Sequence, residues 1–339
     1  DLENRQRIVE LFRRLNDGGT KLSSFDLVAS ILKGFDWRME GFLRDILSKY
    51  SDIGLTQDNL IKLIFILQDN HTKEMANIEE SDSNFAINNK DKIESALYAT
   101  KQFLKHANLY EYYKDSNRSF IPLFFITYHL FHKNLELEKI KSFFNNFDTG
   151  NSDFMPIKNW LYHSLLNGVF RSRGAGWVSY KTGVRKLLNE LKDYKNKTFP
   201  INKLFNVYIQ HPLNFELNYT EELLDNLDPS FIYYLIYNCK ESSRVNDIDH
   251  IMPKSILQNY GYTWDKINSI SNYQLLDYST NRGNKNSSPF NDWINNQENV
   301  KDKDQYVKMH LIPTDETLWL EEKFEDFIKN RAKLIVNKI

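Results

Sequence analysis

The residues best suited to chemistry lie in three nearby segments. These are Asp247-Ile248-Asp249-His250-Ile251-Met252-Pro253-Lys254-Ser255, Ser271-Asn272-Tyr273-Gln274-Leu275-Leu276-Asp277, and Asn281-Arg282-Gly283-Asn284-Lys285. In an extended strand neighbouring side chains point to opposite faces, so Asp249 and His250 can address different partners, one a metal ion and the other a water molecule. Asn281 opens a turn that can return its amide oxygen to the side of Asp249. A hard ion such as Mg²⁺ takes oxygen ligands and keeps several waters, so one carboxylate and one amide oxygen suffice as protein anchors. Such an ion polarises a phosphate and neutralises charge on a departing oxygen. An imidazole with an ordinary pKa of about 6.5 accepts a proton from the attacking water at neutral pH. Together these groups suit one-metal hydrolysis of a phosphodiester.

The elements that must position them read as follows. Arg244–Ile251 is short and extended, Ser271–Asp277 reads as loop, and 281–286 is a turn rich in Asn and Gly. Pro289–Gln297 and Leu318–Lys338 carry helical spacing, and Asp228-Pro229 caps and opens a helix running to about Lys240. Upstream the pattern is helix after helix, with apolar groups three and four apart. Asn4–Leu15, a helix restarting at Ser23 with Asp26 three residues on, Asp58–Leu67, Asp91–Tyr113, Ile121–Lys133 and Leu137–Phe147 all read this way. Asp69–Asn89 is polar and acidic and predicts an exposed loop; Thr198–Phe215, with Pro200 and Pro212, predicts a connection. The expected fold class is mainly α with a small α+β module.

Composition bounds what this can be. The 339 residues carry a net charge of −1, so any nucleic-acid contact must come from local patches rather than a uniform field. Aromatic residues make up 14%, enough to build a large helical core, while 12 Gly and 8 Pro disfavour a loop-rich sandwich. The single cysteine, Cys239, excludes internal disulfides and a Cys-based zinc cluster, and its apolar run predicts burial. No apolar run reaches the length of a membrane span and no signal peptide is evident, so a cytoplasmic protein without a membrane partner is expected. Asp1 leads directly into helical spacing without an initiator Met, the pattern expected of a piece of a longer protein.

Asp-x-Asp-His-Ile-x-Pro-x-Ser, followed by Asn-Tyr-Gln-Leu-Leu and Asn-Arg-Gly-x-Lys, resembles the ββα-metal HNH nucleases. It is especially similar to the HNH domain of RNA-guided CRISPR nucleases and to the C-terminal nuclease domain of GmrSD-type restriction proteins. The resemblance implies Asp249 as first metal ligand, His250 as general base and Asn281 as second ligand. It also implies that Asn272 steadies the catalytic loop and that Lys285 lies near the scissile phosphate. His310-Leu311-Ile312-Pro313, Leu318-Trp319 and 327–331 fit the tail of the GmrSD-type module. Phe12-Arg13-Arg14-Leu15-Asn16-Asp17-Gly18-Gly19-Thr20-Lys21-Leu22-Ser23 is similar to the closing segment of that family's ParB/sulfiredoxin-like domain. The Asp-Gly-Gln-Gln-Arg element by which that domain engages nucleotide is absent, so nucleotide binding is expected only with an upstream part.

The resemblance implies three regions: 1–55 as the remnant of the ParB/sulfiredoxin-like domain, 56–199 as a helical middle, and 200–339 as the HNH module. It implies Mg²⁺- or Mn²⁺-dependent cleavage of DNA in modification-dependent restriction and antiviral defence. One such site cuts one strand, so a double-strand break needs two visits or two protomers, which leaves a homo-oligomer open. A DNA-binding or regulatory module with an inactive site and an RNA-cleaving, toxin-like nuclease are the rival readings. Between Phe154 and Asn189 the charged residues are all basic, and Arg171, Arg173, Lys181 and Arg185 are candidate phosphate contacts. Lys254 and Arg282 join them from beside the Asp-His segment. His129 and His132 stand three apart on one helix, a spacing compatible with a metal but read as ordinary helix packing.

Overall fold

A computed structural model describes residues 24–71, 77–114, 118–133, 153–170, 183–210, 215–237, 246–277, 285 and 288–339. The described chain is mostly helical, with one two-stranded antiparallel sheet. It divides into two compact units: 1–162 with 170–213, and 163–169 with 214–339.

In the first unit α1 (Ser24–Phe35), α2 (Arg38–Tyr50) and α3 (Gln57–Leu67) are followed by α4 (Glu80–Asn88), α5 (Lys90–His106) and α6 (Ile121–His132). Thr56 begins α3 by accepting the Asn59 amide at 3.2 Å, leaving a face of leucine and isoleucine to the core. Helix α6 is apolar all round and accordingly buried from Pro122 to Phe131. A buried Thr100–Thr127 hydroxyl pair at 2.9 Å ties it to α5.

Three expectations for the first unit are corrected. Helix α4 lies where a polar loop was expected. Glu79 and Asp82 form a capping box, and the buried side of the helix is the polar Asp82 and Ser83 with the small Ala86, which makes no apolar stripe. Asp91–Tyr113 is two helices, because Asn108 takes a left-handed φ of 56° and ends the run. Ile201–Ile209 is a helix rather than a connection: Pro200 sits at its N-cap, so proline opens the helix instead of breaking it, and Leu204, Val207 and Tyr208 are buried. After α6 the first unit continues with α7 (Phe154–Leu166), whose last turn groups with the second unit, then α8 (Arg185–Lys192) and α9 (Ile201–Ile209).

The second unit carries α10 (Pro229–Ile236), capped as expected by Asp228, whose carboxylate accepts the Phe231 amide at 3.1 Å. Then come β1 (Asn246–His250), α11 (Lys254–Asn259), β2 (Tyr273–Asp277), α12 (Phe290–Asn295), α13 (Lys303–Met309) and α14 (Phe324–Val336). The expected loop at 271–277 is therefore corrected to a strand that pairs with β1. Ile251, Met252, Leu257, Ile267, Phe290, Trp293, Trp319, Phe324 and Phe327 make one core. Arg331 of α14 is fully buried and donates to the carbonyls of Ile270, Ser271 and His310. Among the described residues no helix is long and apolar enough to cross a membrane. Cys239, Asn4–Leu15 and Leu137–Phe147 lie outside the described residues.

Candidate active site on the two-stranded sheet

The register sets the site. Asp249 stands opposite Gln274 and His250 opposite Tyr273. Directly paired residues share a face, so Asp249 and Gln274 look one way while His250 and Tyr273 look the other. The first face is buried: Gln274 has no exposed surface and the Asp249 side chain keeps only 14%. The second is half-open, with His250 partly exposed and Ile248 well exposed.

Asp249 is held from its own sheet. Its Oδ2 accepts from Gln274 Nε2 at 3.2 Å and from the Lys285 ammonium. Gln274 is fixed in turn by the buried Tyr306 hydroxyl, which donates to its Oε1. The other carboxylate oxygen, Oδ1, accepts from none of the described residues. Lys285 also donates to the carbonyl of His250 and lies 5.9 Å from the centre of the Trp293 ring. The family resemblance implies a lysine facing a phosphate; the structure buries Lys285 completely and turns its ammonium onto Asp249. Burial pushes its pKa down, and the adjacent carboxylate opposes that.

His250 is oriented from the outer face. Its Nε2 lies 3.1 Å from Asn268 Oδ1, and the Tyr273 ring sits 4.5 Å away, centre to centre. Burial lowers its pKa below the ordinary histidine value. The Asn268 hydrogen bond and the charge of Asp249 oppose the shift, while Lys285 and Lys254 add to it. The ring is therefore neutral at neutral pH, the form that accepts a proton.

Asn272 is a positioning group. Fully buried, it accepts the Met252 amide on Oδ1 at 3.0 Å and donates through Nδ2 to the carbonyls of Met252 and Ile267 at 3.2 and 3.0 Å. Its own carbonyl accepts the Ile251 amide at 2.7 Å, extending the pairing one step past β1. Those four bonds fix the turn at Met252-Pro253, from which α11 departs.

Of the remaining candidates, Asn281, Arg282, Arg171, Arg173 and Lys181 lie outside the described residues. Arg185 is exposed at the start of α8 in the first unit. Lys254 is exposed, and its ammonium lies 3.9 Å from the centre of the half-exposed Trp264 ring. His129 is buried, 3.5 Å from the carboxylate of Asp153, and His132 is pushed down to about 4 mainly by burial. The resembling tail is core: His310, Ile312, Trp319, Phe327 and Arg331 are all buried.

Sequence reasoning missed Gln274, Tyr306 and Asn268. Gln274 was readable in principle, because pairing 249 against a strand at 273–277 places it opposite the carboxylate. Tyr306 and Asn268 gave no local signal.

Among the described residues no group of three or more His, Cys, Asp or Glu side chains is arranged around a common metal position. The donor chemistry still fits a hard divalent ion of low ligand demand. Asp249 Oδ1 is unengaged among the described residues, and such an ion keeps most of its shell as water. No protein-family model and no curated protein matches this chain.

Proposed function

We propose that the second unit is a nuclease that hydrolyses DNA phosphodiester bonds with His250 as general base. The observation that carries this reading is the pairing of two oriented groups at the end of one strand: a carboxylate with an unengaged oxygen, and a neutral imidazole on a half-open face. Asp249 Oδ1 would hold Mg²⁺ or Mn²⁺, with Asn281 as the second protein ligand by resemblance. A divalent ion bound there supplies charge stabilisation to the phosphate and its departing oxygen.

The chain's own residues do the rest. His250 takes the proton of the attacking water, a contribution of roughly 10²–10⁴-fold for a positioned base. Gln274 and Lys285 hold the Asp249 carboxylate in one orientation, and Asn272 keeps the turn after β1 rigid. Lys254, beside the exposed Trp264, is the described cation best placed to meet a nucleic-acid backbone from the same segment. In keeping with the resemblance to GmrSD-type proteins, the substrate is phage DNA and the setting is modification-dependent restriction.

Incubation with matched DNA and RNA under Mg²⁺ tests this reading. Cleavage of DNA that disappears in His250→Ala, with DNA affinity retained, supports it. Cleavage of RNA alone overturns the restriction setting. A second reading, a DNA-binding module with an inactive site, is favoured by one feature: the Lys285 ammonium already compensates Asp249. DNA binding without cleavage, together with no Mn²⁺ binding by calorimetry, would select it.

A further inference from the structure

We propose that Asn268 positions His250, fixing the ring tautomer so that Nδ1 is the nitrogen left to accept a proton. The inference deepens the nuclease reading and rests on it. Asn268 Oδ1 lies 3.1 Å from His250 Nε2 and 2.9 Å from the Tyr273 hydroxyl. A carboxamide oxygen has lone pairs and no hydrogen, so both neighbours must donate to it. The imidazole hydrogen therefore sits on Nε2. A neutral ring carries only one N–H, and Nδ1 is left as a bare lone pair.

The acceptor is itself held still. Asn268 ends the one-turn helix Trp264–Ile267, its amide donating to the Trp264 carbonyl at 3.0 Å. The next two residues are tied to one carboxylate: Asp225 Oδ1 accepts from Ser269 Oγ at 3.1 Å and from the Ile270 amide at 2.7 Å. Tyr273, the cross-strand partner of His250, covers one face of the imidazole at an interplanar angle of 43° and shares the same acceptor. An imidazole fixed by a hydrogen bond at one nitrogen and by a ring against its face has one orientation and one reactive nitrogen. Asn268 touches no reacting atom; its effect passes through His250.

Nitrogen-15 NMR of the full chain with labelled histidine, recorded without metal, tests this. The His250 signals are expected to show a protonated Nε2 and a bare Nδ1 in the wild type. Asn268→Leu removes the acceptor at an exposed position and is expected to let the ring sample both tautomers. Its kcat for DNA cleavage should fall about tenfold to hundredfold, the usual range for an orienting partner, while KM stays within about twofold. Asn268→Asp retains an acceptor oxygen and should restore the Nε2–H signature. A wild-type ring protonated on Nδ1, or an unchanged tautomer ratio in Asn268→Leu, overturns the proposal. If the wild type cuts no DNA, the nuclease reading fails by itself, and the ring spectra still decide the role of Asn268.

Discussion

The chain builds the same trio of imidazole, carboxylate and ammonium twice, once in each unit. In the first unit His129, Asp153 and Lys133 meet where both the acid and the imidazole are almost fully buried. Asp153 Oδ1 accepts the Phe199 amide at 2.7 Å, and Oδ2 faces Lys133 at 2.8 Å and His129 at 3.5 Å. That carboxylate is used up from both sides. Burial pushes the Asp153 carboxyl up, but His129 and Lys133 beside it and the Phe199 amide outweigh burial and hold the group down to about 2. In the second unit Asp249 and His250 are divided between the two faces of a sheet, with one carboxylate oxygen unengaged among the described residues and the imidazole half-open. Identical side chains are closed into a core in one place and left partly accessible in the other. The difference is exposure, not the residue types: among the described residues His129 Nε2 also has no hydrogen-bond partner, but it is sealed in the core.

The sharpest way to break this comparison is to truncate the two histidines. His250→Ala should lower DNA cleavage by roughly 10²–10⁴-fold while shifting stability by less than about 1 kcal/mol, since the ring is half-exposed. His129→Ala, in a closed core, should cost roughly 2–4 kcal/mol in denaturant unfolding of the first unit and leave the cleavage chemistry of the second alone. Equal stability losses in the two variants would show that the trios do not differ as described. Asp153→Asn should then cost about 3 kcal/mol, because a buried charge pair loses one member while Lys133 stays.

Acid should separate the units further. In the second unit His310 is pushed down to about 3, mainly by burial, with Arg331 and Lys285 adding to the shift. Its folded pKa is depressed below the unfolded value, so the unfolded chain binds the extra proton first. Stability is complete above about pH 6.5 and is lost as pH falls from there towards 3, by roughly 3 kcal/mol at pH 4. Unfolding curves at pH 7, 5.5 and 4 would check this, and His310→Phe should flatten the loss. Asp153 adds little to the loss down to pH 4, because its own contribution is present above that and declines from about pH 4 towards 2. The smallest expected effect is local: Thr56→Ala removes the N-cap of α3 and should cost about 1 kcal/mol, read as a small drop in Tm.

What the sequence disclosed follows from where periodicity carries information. Helix α3 with its apolar face and α6, apolar all round, were legible, as were the Asp228 cap and the opposed faces of Asp249 and His250. Helix α4 was hidden because its buried side is made of serine, alanine and aspartate. Strand β2 was hidden because Tyr273-Gln274-Leu275-Leu276 does not alternate: Gln274 is buried for a hydrogen bond to Asp249 rather than for its apolarity. Lys285 was placed near the scissile phosphate by resemblance, because nothing local to a lysine announces an acceptor thirty-six positions upstream. Asn268 illustrates the same limit, since its meaning lies in a contact between segments eighteen residues apart.

Arg331 has a temporal consequence. The carbonyls it gathers belong to the turn that launches β2 and to the residue ending α13, and a buried guanidinium held, among the described residues, by carbonyls alone is costly to replace. During synthesis the ribosome delivers both strands before this side chain, β2 ending at residue 277 and the arginine following at 331. A nascent polypeptide interrupted ahead of position 331 therefore has both strands without the guanidinium that ties the start of β2 to the end of α13.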